Sequence, residues 1–242
     1  MLLTVDLDRL RLRSGEHLLD AGCGEGRHCF GALERGAQVV GLDLDAGALR
    51  SAAPGLRARA HELGALGAMI RGDTFRLPFR DETFDKIICS EVMEHVHDFR
   101  AAARELARVT QPYGMVAVTI PTATSEQLYL HVGDDYFESP GGHIRIFRPR
   151  QLALGLAEAG LATIGVGFAH ALHTPYWVLR SIAGLPRADE NALVQIYRRF
   201  LLLATKSRFL TRLEGVLNYC FPKSLILYAE KRLPSATHGS PT

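Results

Sequence analysis

Along most of the chain, short apolar runs alternate with longer stretches in which apolar positions recur every three or four residues. The runs 16–21 (EHLLDA), 37–44 (AQVVGLDL), 68–71 and 84–89 (FDKIIC) have the length of buried strands, and 115–120 (MVAVTI) makes a fifth. Between them the spacing predicts helices over 27–35, from the N-cap candidate Asp45 towards 63, and over 99–109. Strands alternating with helices form βαβ units, so the pattern predicts an α/β fold with a mostly parallel sheet covered on both faces.

The pattern changes after residue 150. Residues 152–179 carry one charged side chain, Glu158, and are long enough to cross a bilayer. Four glycines interrupt them, however, and His170 and His173 fall inside. The stretch therefore reads as a helix ended by Gly160, then a buried strand from 162 that pairing extends to 173. A last apolar strand, 224–232, has no helical crossover after it and is predicted to pair antiparallel with 162–173. The residues between, 174–223, read as helices. Leu193, Ile196, Phe200 and Leu203 fall at helical spacing, as do Phe209, Leu213, Val216 and Cys220.

Composition narrows the classes. The chain has 242 residues, 47% hydrophobic and 22% charged, which excludes a disordered, collagen-like or coiled-coil protein. It is expected to be a single domain over 1–233, with 174–223 as a helical lid and 234–242 as a flexible tail. A formal net charge of +2 demands no nucleic acid partner. Four cysteines without a CxxC pair suggest reduced thiols in a cytoplasmic protein, and acids within the apolar N-terminus argue against a signal peptide.

The chemistry starts at Asp20-Ala21-Gly22-Cys23-Gly24-Glu25-Gly26, which joins the first strand to the first helix. Gly22 and Gly24 permit a tight turn and close approach to a nucleotide, and Asp43 ends the next strand where an acid takes ribose hydroxyls. A pyrophosphate wants a bare helix N-terminus. Here Asp20 and Glu25 supply carboxylates instead, which suits a ligand carrying an ammonium and a sulfonium. Asp73, in Arg71-Gly72-Asp73-Thr74, stands where an adenine amino group could donate to it.

Four blocks in order, LLDAGCGEGRH (18–28), VVGLDLD (39–45), RGDTFRLPF (71–79) and FDKIICSEVMEHV (84–96), resemble the class I S-adenosylmethionine-dependent methyltransferases of the ubiquinone- and menaquinone-biosynthesis type. The resemblance covers about residues 15–173 and the final strand, and leaves 174–223 uncovered. It implies a doubly wound seven-stranded sheet in the order 3-2-1-4-5-7-6 with the last strand antiparallel. It also implies S-adenosyl-L-methionine as cofactor, with Asp20, Gly22 and Gly24 around the methionine part, Asp43 on the ribose, Asp73 on adenine and Ser90 near the methyl donor. Cys23, Leu44 and Thr74 complete the expected cofactor-binding set.

Proton handling is carried by two segments. Glu91, Glu94 and His95 form an E-x-x-E-H arrangement that on a short helix shares one face, and His143 follows in PGGHIRIF. A similar pattern binds a divalent metal in small-RNA 2′-O-methyltransferases and some ubiquinone O-methyltransferases. A metal on Glu91, Glu94, His95 and His143 is therefore an alternative, not the favoured one. His143 and His95 are the catalytic candidates, since an imidazole titrates near neutrality and His143 suits a general base.

No Asn/Asp-Pro-Pro-Tyr/Phe block follows the fourth strand, which argues against amino-methylation of nucleic acid bases. The expected function is methyl transfer to a small-molecule or lipid-linked acceptor at oxygen. Carbon methylation of a quinone-like or polyketide ring is the alternative, and an NAD-dependent oxidoreductase or a non-catalytic nucleotide-binding module the remote ones. In an open α/β sheet the ligand sits outside the carboxyl ends of the strands, so 121–147 and 174–223 are expected to roof the acceptor pocket. Basic residues outnumber acidic ones eight to three in 174–223, so this apolar insertion could also rest on an anionic membrane or pack on a second subunit.

Overall fold

Seven strands form one sheet in the order β3-β2-β1-β4-β5-β7-β6. The structure, a computed structural model, describes residues 3–132 and 143–233. The expected tail 234–242 and the Pro140, Gly141 and Gly142 of the PGGH motif lie outside the described residues.

Strands β1 (His17–Ala21), β2 (Gln38–Asp43), β3 (Gly67–Arg71), β4 (Phe84–Ser90) and β5 (Thr110–Pro121) pair in parallel. Strand β7 (Ser224–Lys231) lies antiparallel between β5 and β6 (Leu161–Ala169). Helices α1 (Arg27–Leu33), α2 (Ala46–Leu63), α3 (Phe99–Val109), α4 (Ala123–Val132) and α5 (Pro149–Glu158) connect them. The central strands bury side chains on both faces, because helices cover both. On one face Phe99, Leu106, Leu152 and Leu156 of α3 and α5 meet Ile87, Val116 and Leu227. On the other, Cys29, Leu33 and Leu56 of α1 and α2 meet Leu18, Val39 and Ile88, together with Val5, Leu7 and Leu10 from the N-terminal segment.

Local chemistry explains the boundaries. Asp45 caps α2 by accepting from Gly47 N and Ala48 N, and Asp98 caps α3 through Ala101 N. The apolar stretch around residue 160 divides into α5 and β6, and among the described residues no helix is long and apolar enough to cross a membrane. Two bounds need correction. Strand β5 begins at Thr110 rather than at the expected 115, and runs through Pro112 and Gly114. Strand six stops at Ala169 rather than 173, because His170 takes a left-handed backbone with φ 68° and Ala171 N is captured by Asn218.

The insertion between β6 and β7 is helical, with α6 (His173–Ala183), a 3-10 segment (Leu185–Glu190), α7 (Ala192–Ala204) and α8 (Arg208–Leu217). Its apolar spacing forms helices, but the stripes face outward. Leu193, Ile196 and Leu203 on α7, and Phe209 and Val216 on α8, are all exposed, whereas Val194, Leu201 and Ala204 pack inward.

Candidate functional site

The loop after β1 lies against the loop after β2 and is held by backbone geometry. Gly22 N and Cys23 N both donate to Leu42 O, at 2.7 and 3.0 Å. Gly22 and Gly24 have φ of 80° and 51°, a region that side chains with a Cβ rarely adopt. They serve different ends. A Cβ on Gly22 would meet Val92 Cγ2 at 2.2 Å, so this glycine admits the loop after β4. A Cβ on Gly24 would meet nothing within 4 Å, because that side opens on empty space.

That space is a cavity of about 360 Å³ at the carboxyl ends of β1 to β4, lined by Gly22, Gly24, Asp43, Leu44, Asp73 and Thr74 among others. Asp43 is anchored rather than free to swing. Its Oδ2 accepts from Gly24 N at 2.7 Å and its Oδ1 from Asp45 N at 2.8 Å. Asp73 Oδ1 likewise accepts from Phe75 N at 3.0 Å. Phe75, Val92 and His95 also border the cavity. Phe75 and Val92 escaped the sequence reasoning, since an aromatic or aliphatic residue after a strand carries no spacing signal.

Other expected cofactor residues stand behind the wall. Asp20 is fully buried, its Oδ2 accepting from the Cys29 thiol at 3.3 Å while Oδ1 has no hydrogen-bond partner. Desolvation pushes its pKa up to about 7, against the pull of the Cys29 hydrogen bond and Arg27. Cys23 is buried, with its thiol 3.6 Å from Gly24 O. Ser90 is buried and hydrogen-bonded to Thr119 Oγ1 at 2.9 Å, with Arg27 3.5 Å away.

The E-x-x-E-H run does not present one face. Glu91 has φ 57°, so it precedes the 3-10 turn Met93–His95 at an angle. Its carboxylate accepts from Lys223 Nζ at 2.7 Å and Ser224 Oγ at 2.9 Å. Burial raises the Glu91 pKa, but the Lys223 charge and these hydrogen bonds outweigh it and hold the carboxylate below its ordinary range. The four-residue set considered for a metal therefore contracts to Glu94, His95 and His143, whose donor atoms lie within 4.8 Å of one another.

Glu94 is buried and neither carboxylate oxygen has a hydrogen-bond partner; desolvation, then the Glu91 charge, push its pKa well up. His143 Nε2 lies 4.0 Å from Glu94 Oε1, and the His95 and His143 rings meet edge to face at 4.8 Å. On its other side, Nδ1–H of His143 donates to the buried carboxylate of Glu126 on α4. The bond orients the His143 ring between Glu126 and Glu94. Glu126 is the main omission of the sequence reading. It lies seventeen positions before His143, in a segment treated only as cover.

Residues 19–118 match the family described as a methyltransferase domain. The chain is 34% identical over 191 residues to a ubiquinone biosynthesis O-methyltransferase of Alkalilimnicola ehrlichii, a match covering 76% of this chain and 68% of that one. It is 36% identical over 111 residues to a demethylmenaquinone methyltransferase of Corynebacterium efficiens, across 46% of this chain and 44% of that one. The chain thus spans less than half the length of that relative. The fold is also that of a geranyl diphosphate methyltransferase solved with S-adenosylmethionine, with TM-score 0.60, 20% identity and coverage of 93% and 82% of the two chains. A relative matched at this identity over two thirds of its own length, on a sheet of this order, leaves one assignment: the chain belongs to the class I S-adenosylmethionine-dependent methyltransferases of the ubiquinone- and menaquinone-biosynthesis type.

Proposed function

We propose that the chain transfers the methyl group of S-adenosylmethionine to a hydroxyl oxygen on a ring that carries a lipid-like tail. The observation that carries this reading is the half-buried His143, bonded to the buried Glu126 and beside the His95 that borders the cofactor cavity. In the step, the acceptor oxygen forms its bond to the methyl carbon as the carbon–sulfur bond breaks, leaving S-adenosylhomocysteine. His143 Nε2 takes the hydroxyl proton, and the Glu126 carboxylate stabilises the imidazolium that results. Carbon methylation of a ring also sheds a proton, so the preference for oxygen rests on the similarity to the ubiquinone biosynthesis O-methyltransferase. The sulfonium is already activated, so alignment in the cavity supplies much of the remaining acceleration.

Asp43 and Asp73 are assigned to the ribose and adenine, and Leu44 and Thr74 to the walls beside them. Asp20, Cys23 and Ser90 act from behind, by holding the loop and the end of β4. The second reading is a divalent cation on the unpartnered oxygens of Glu94, shared with His95 and His143; His143 Nε2 would then be a ligand instead of the base, and the ion would lower the pKa of a bound acceptor hydroxyl. The exposed apolar and basic surface of the insertion suits an acceptor drawn from an anionic membrane.

Calorimetry with S-adenosylhomocysteine and NAD, followed by turnover of a phenolic ring bearing an isoprenoid tail, tests this proposal. Binding of S-adenosylhomocysteine and an O-methyl ether as product are expected. A ring-carbon methyl product would replace oxygen by carbon, and binding of NAD alone would overturn the reading. Full activity after exhaustive chelation removes the cation and leaves His143 as the base.

A further inference from the structure

A second cluster of metal-ligating groups lies away from the cofactor cavity, where β6 ends. His170 and His173 flank the turn out of β6, and Glu214 comes from α8, more than forty residues on. Their donor atoms lie within 4.8 Å of one another. His173 Nδ1 is 3.8 Å from Glu214 Oε1, and both atoms are buried without a hydrogen-bond partner. Two unsatisfied polar atoms facing each other across a buried gap cost free energy that the methyl-transfer site does not recover.

The surroundings are arranged as they are around an ion. His170 is buried, and Thr4 Oγ1 sits 2.9 Å from its Nε2, the kind of outer bond that orients a ligating imidazole. The turn is fixed from several sides. His173 N donates to His170 O at 2.9 Å, Ala171 N to Asn218 Oδ1 at 2.8 Å, and Tyr197 Oη to Leu172 O at 3.1 Å. His170 pays for this with a left-handed backbone.

We propose that His170, His173 and Glu214 bind a transition-metal ion of the zinc class, which fastens the last helix of the insertion to the corner after β6. Two imidazoles and one carboxylate are a donor set suited to zinc. A tetrahedral ion at about 2.0–2.2 Å from each donor wants the donors about 3.3–3.5 Å apart. Rotation of the partly exposed His173 and Glu214 side chains supplies that contraction. Three protein ligands leave a fourth position for water or a small ligand. His170 and Glu214 line a cavity of about 490 Å³, shared with Thr4, Thr211 and Asn218.

The test is zinc titration of the full chain, stripped of metal, in a Glu94→Gln/His143→Ala background that disables the other cluster. One zinc per chain and a raised melting temperature are expected, with cobalt giving the visible bands of a four-coordinate site. His173→Ala and Glu214→Ala should each weaken binding at least a hundredfold and abolish the thermal shift. S-adenosylhomocysteine affinity should be unchanged in both, because neither residue borders the cofactor cavity. If the background does not fold, the comparison is made on the wild-type chain, where His173→Ala should remove one equivalent. No bound zinc in the folded background, or a zinc count that neither substitution alters, overturns the proposal.

Discussion

In the parallel half of the sheet, two carboxylates of the cofactor cavity, Asp43 and Asp73, are held by backbone amides of the strand-end turns. Asp43 is bound by Gly24 N and Asp45 N, and Asp73 by Phe75 N. Around β5, β7 and the insertion, ionisable side chains are instead held by other side chains, brought together by packing. Glu91 meets Lys223, His143 meets Glu126, and His173 faces Glu214. The first arrangement is a property of strand ends and tight turns, which suits it to the cofactor contacts proposed above. The second depends on how distant segments pack, so it can change with the acceptor while the first stays fixed.

His143→Ala is the most severe way to separate the halves. Loss of a positioned general base should lower kcat by about 10²–10⁴-fold. Because the proposed base does not border the cofactor cavity, S-adenosylhomocysteine affinity by calorimetry should stay within about twofold. Glu126→Gln should produce a smaller loss and a displaced pH profile, since it weakens the imidazolium without removing the base. Equal losses of cofactor affinity and turnover in His143→Ala would show that the halves are not independent.

Asp20 is the exception inside the parallel half, a buried carboxyl held by a thiol rather than an amide. Its folded pKa of about 7 stands above its ordinary 3.8. The native state therefore binds the proton more tightly than the unfolded chain, and stability falls as pH rises from about 4 to about 7, then levels. The full shift corresponds to an upper bound of about 4 kcal/mol. His28, lowered to about 3 by burial, acts in the opposite direction, adding stability as pH rises to its unfolded value. Subtracting wild type from Asp20→Asn cancels His28. The variant should gain in relative stability across that window by denaturant melts, and a flat difference would place the Asp20 pKa near its ordinary value.

The same division explains what could be read without coordinates. Gly22, Gly24, Asp43 and Asp73 were legible because a left-handed turn and an acid at the next strand end leave residue types at fixed spacing. The strand order followed from the family resemblance, and the helices from their periodicity. Glu126 and Lys223 were not legible as partners, because α4 and the start of β7 reach His143 and Glu91 only through packing. Periodicity also failed on α7 and α8 in an instructive way. It located the helices, but a stripe at i, i+3 and i+4 does not say whether its partner is the core or something outside the chain.

Asp43→Ala should have a smaller, confined effect. It removes the charge-assisted hydrogen bonds to the ribose that we propose, each worth about 1.5–3 kcal/mol, and frees Gly24 N and Asp45 N. Cofactor affinity should fall at least about tenfold. The KM for the acceptor, measured at saturating cofactor, should not change. Unchanged cofactor affinity in a folded variant would remove Asp43 from the ribose.

The gentlest change concerns the outward stripe of α8. Phe209 and Val216 are exposed, on a helix that also carries Arg208 and Arg212 and has no buried residue. Replacing both by Ser removes little that the folded chain buries, so stability should change by less than about 1 kcal/mol, the helix-propensity cost included. Cofactor affinity and turnover of a water-soluble acceptor should be untouched. Binding to vesicles containing anionic lipid should fall severalfold, and with it turnover of an acceptor embedded in them, because apolar insertion and basic attraction act together. A double variant that melts several degrees lower would show that the stripe is covered within the chain. If it binds vesicles as the wild type does and sediments as a smaller species, the face joins two copies, and the acceptor reaches His143 by another route.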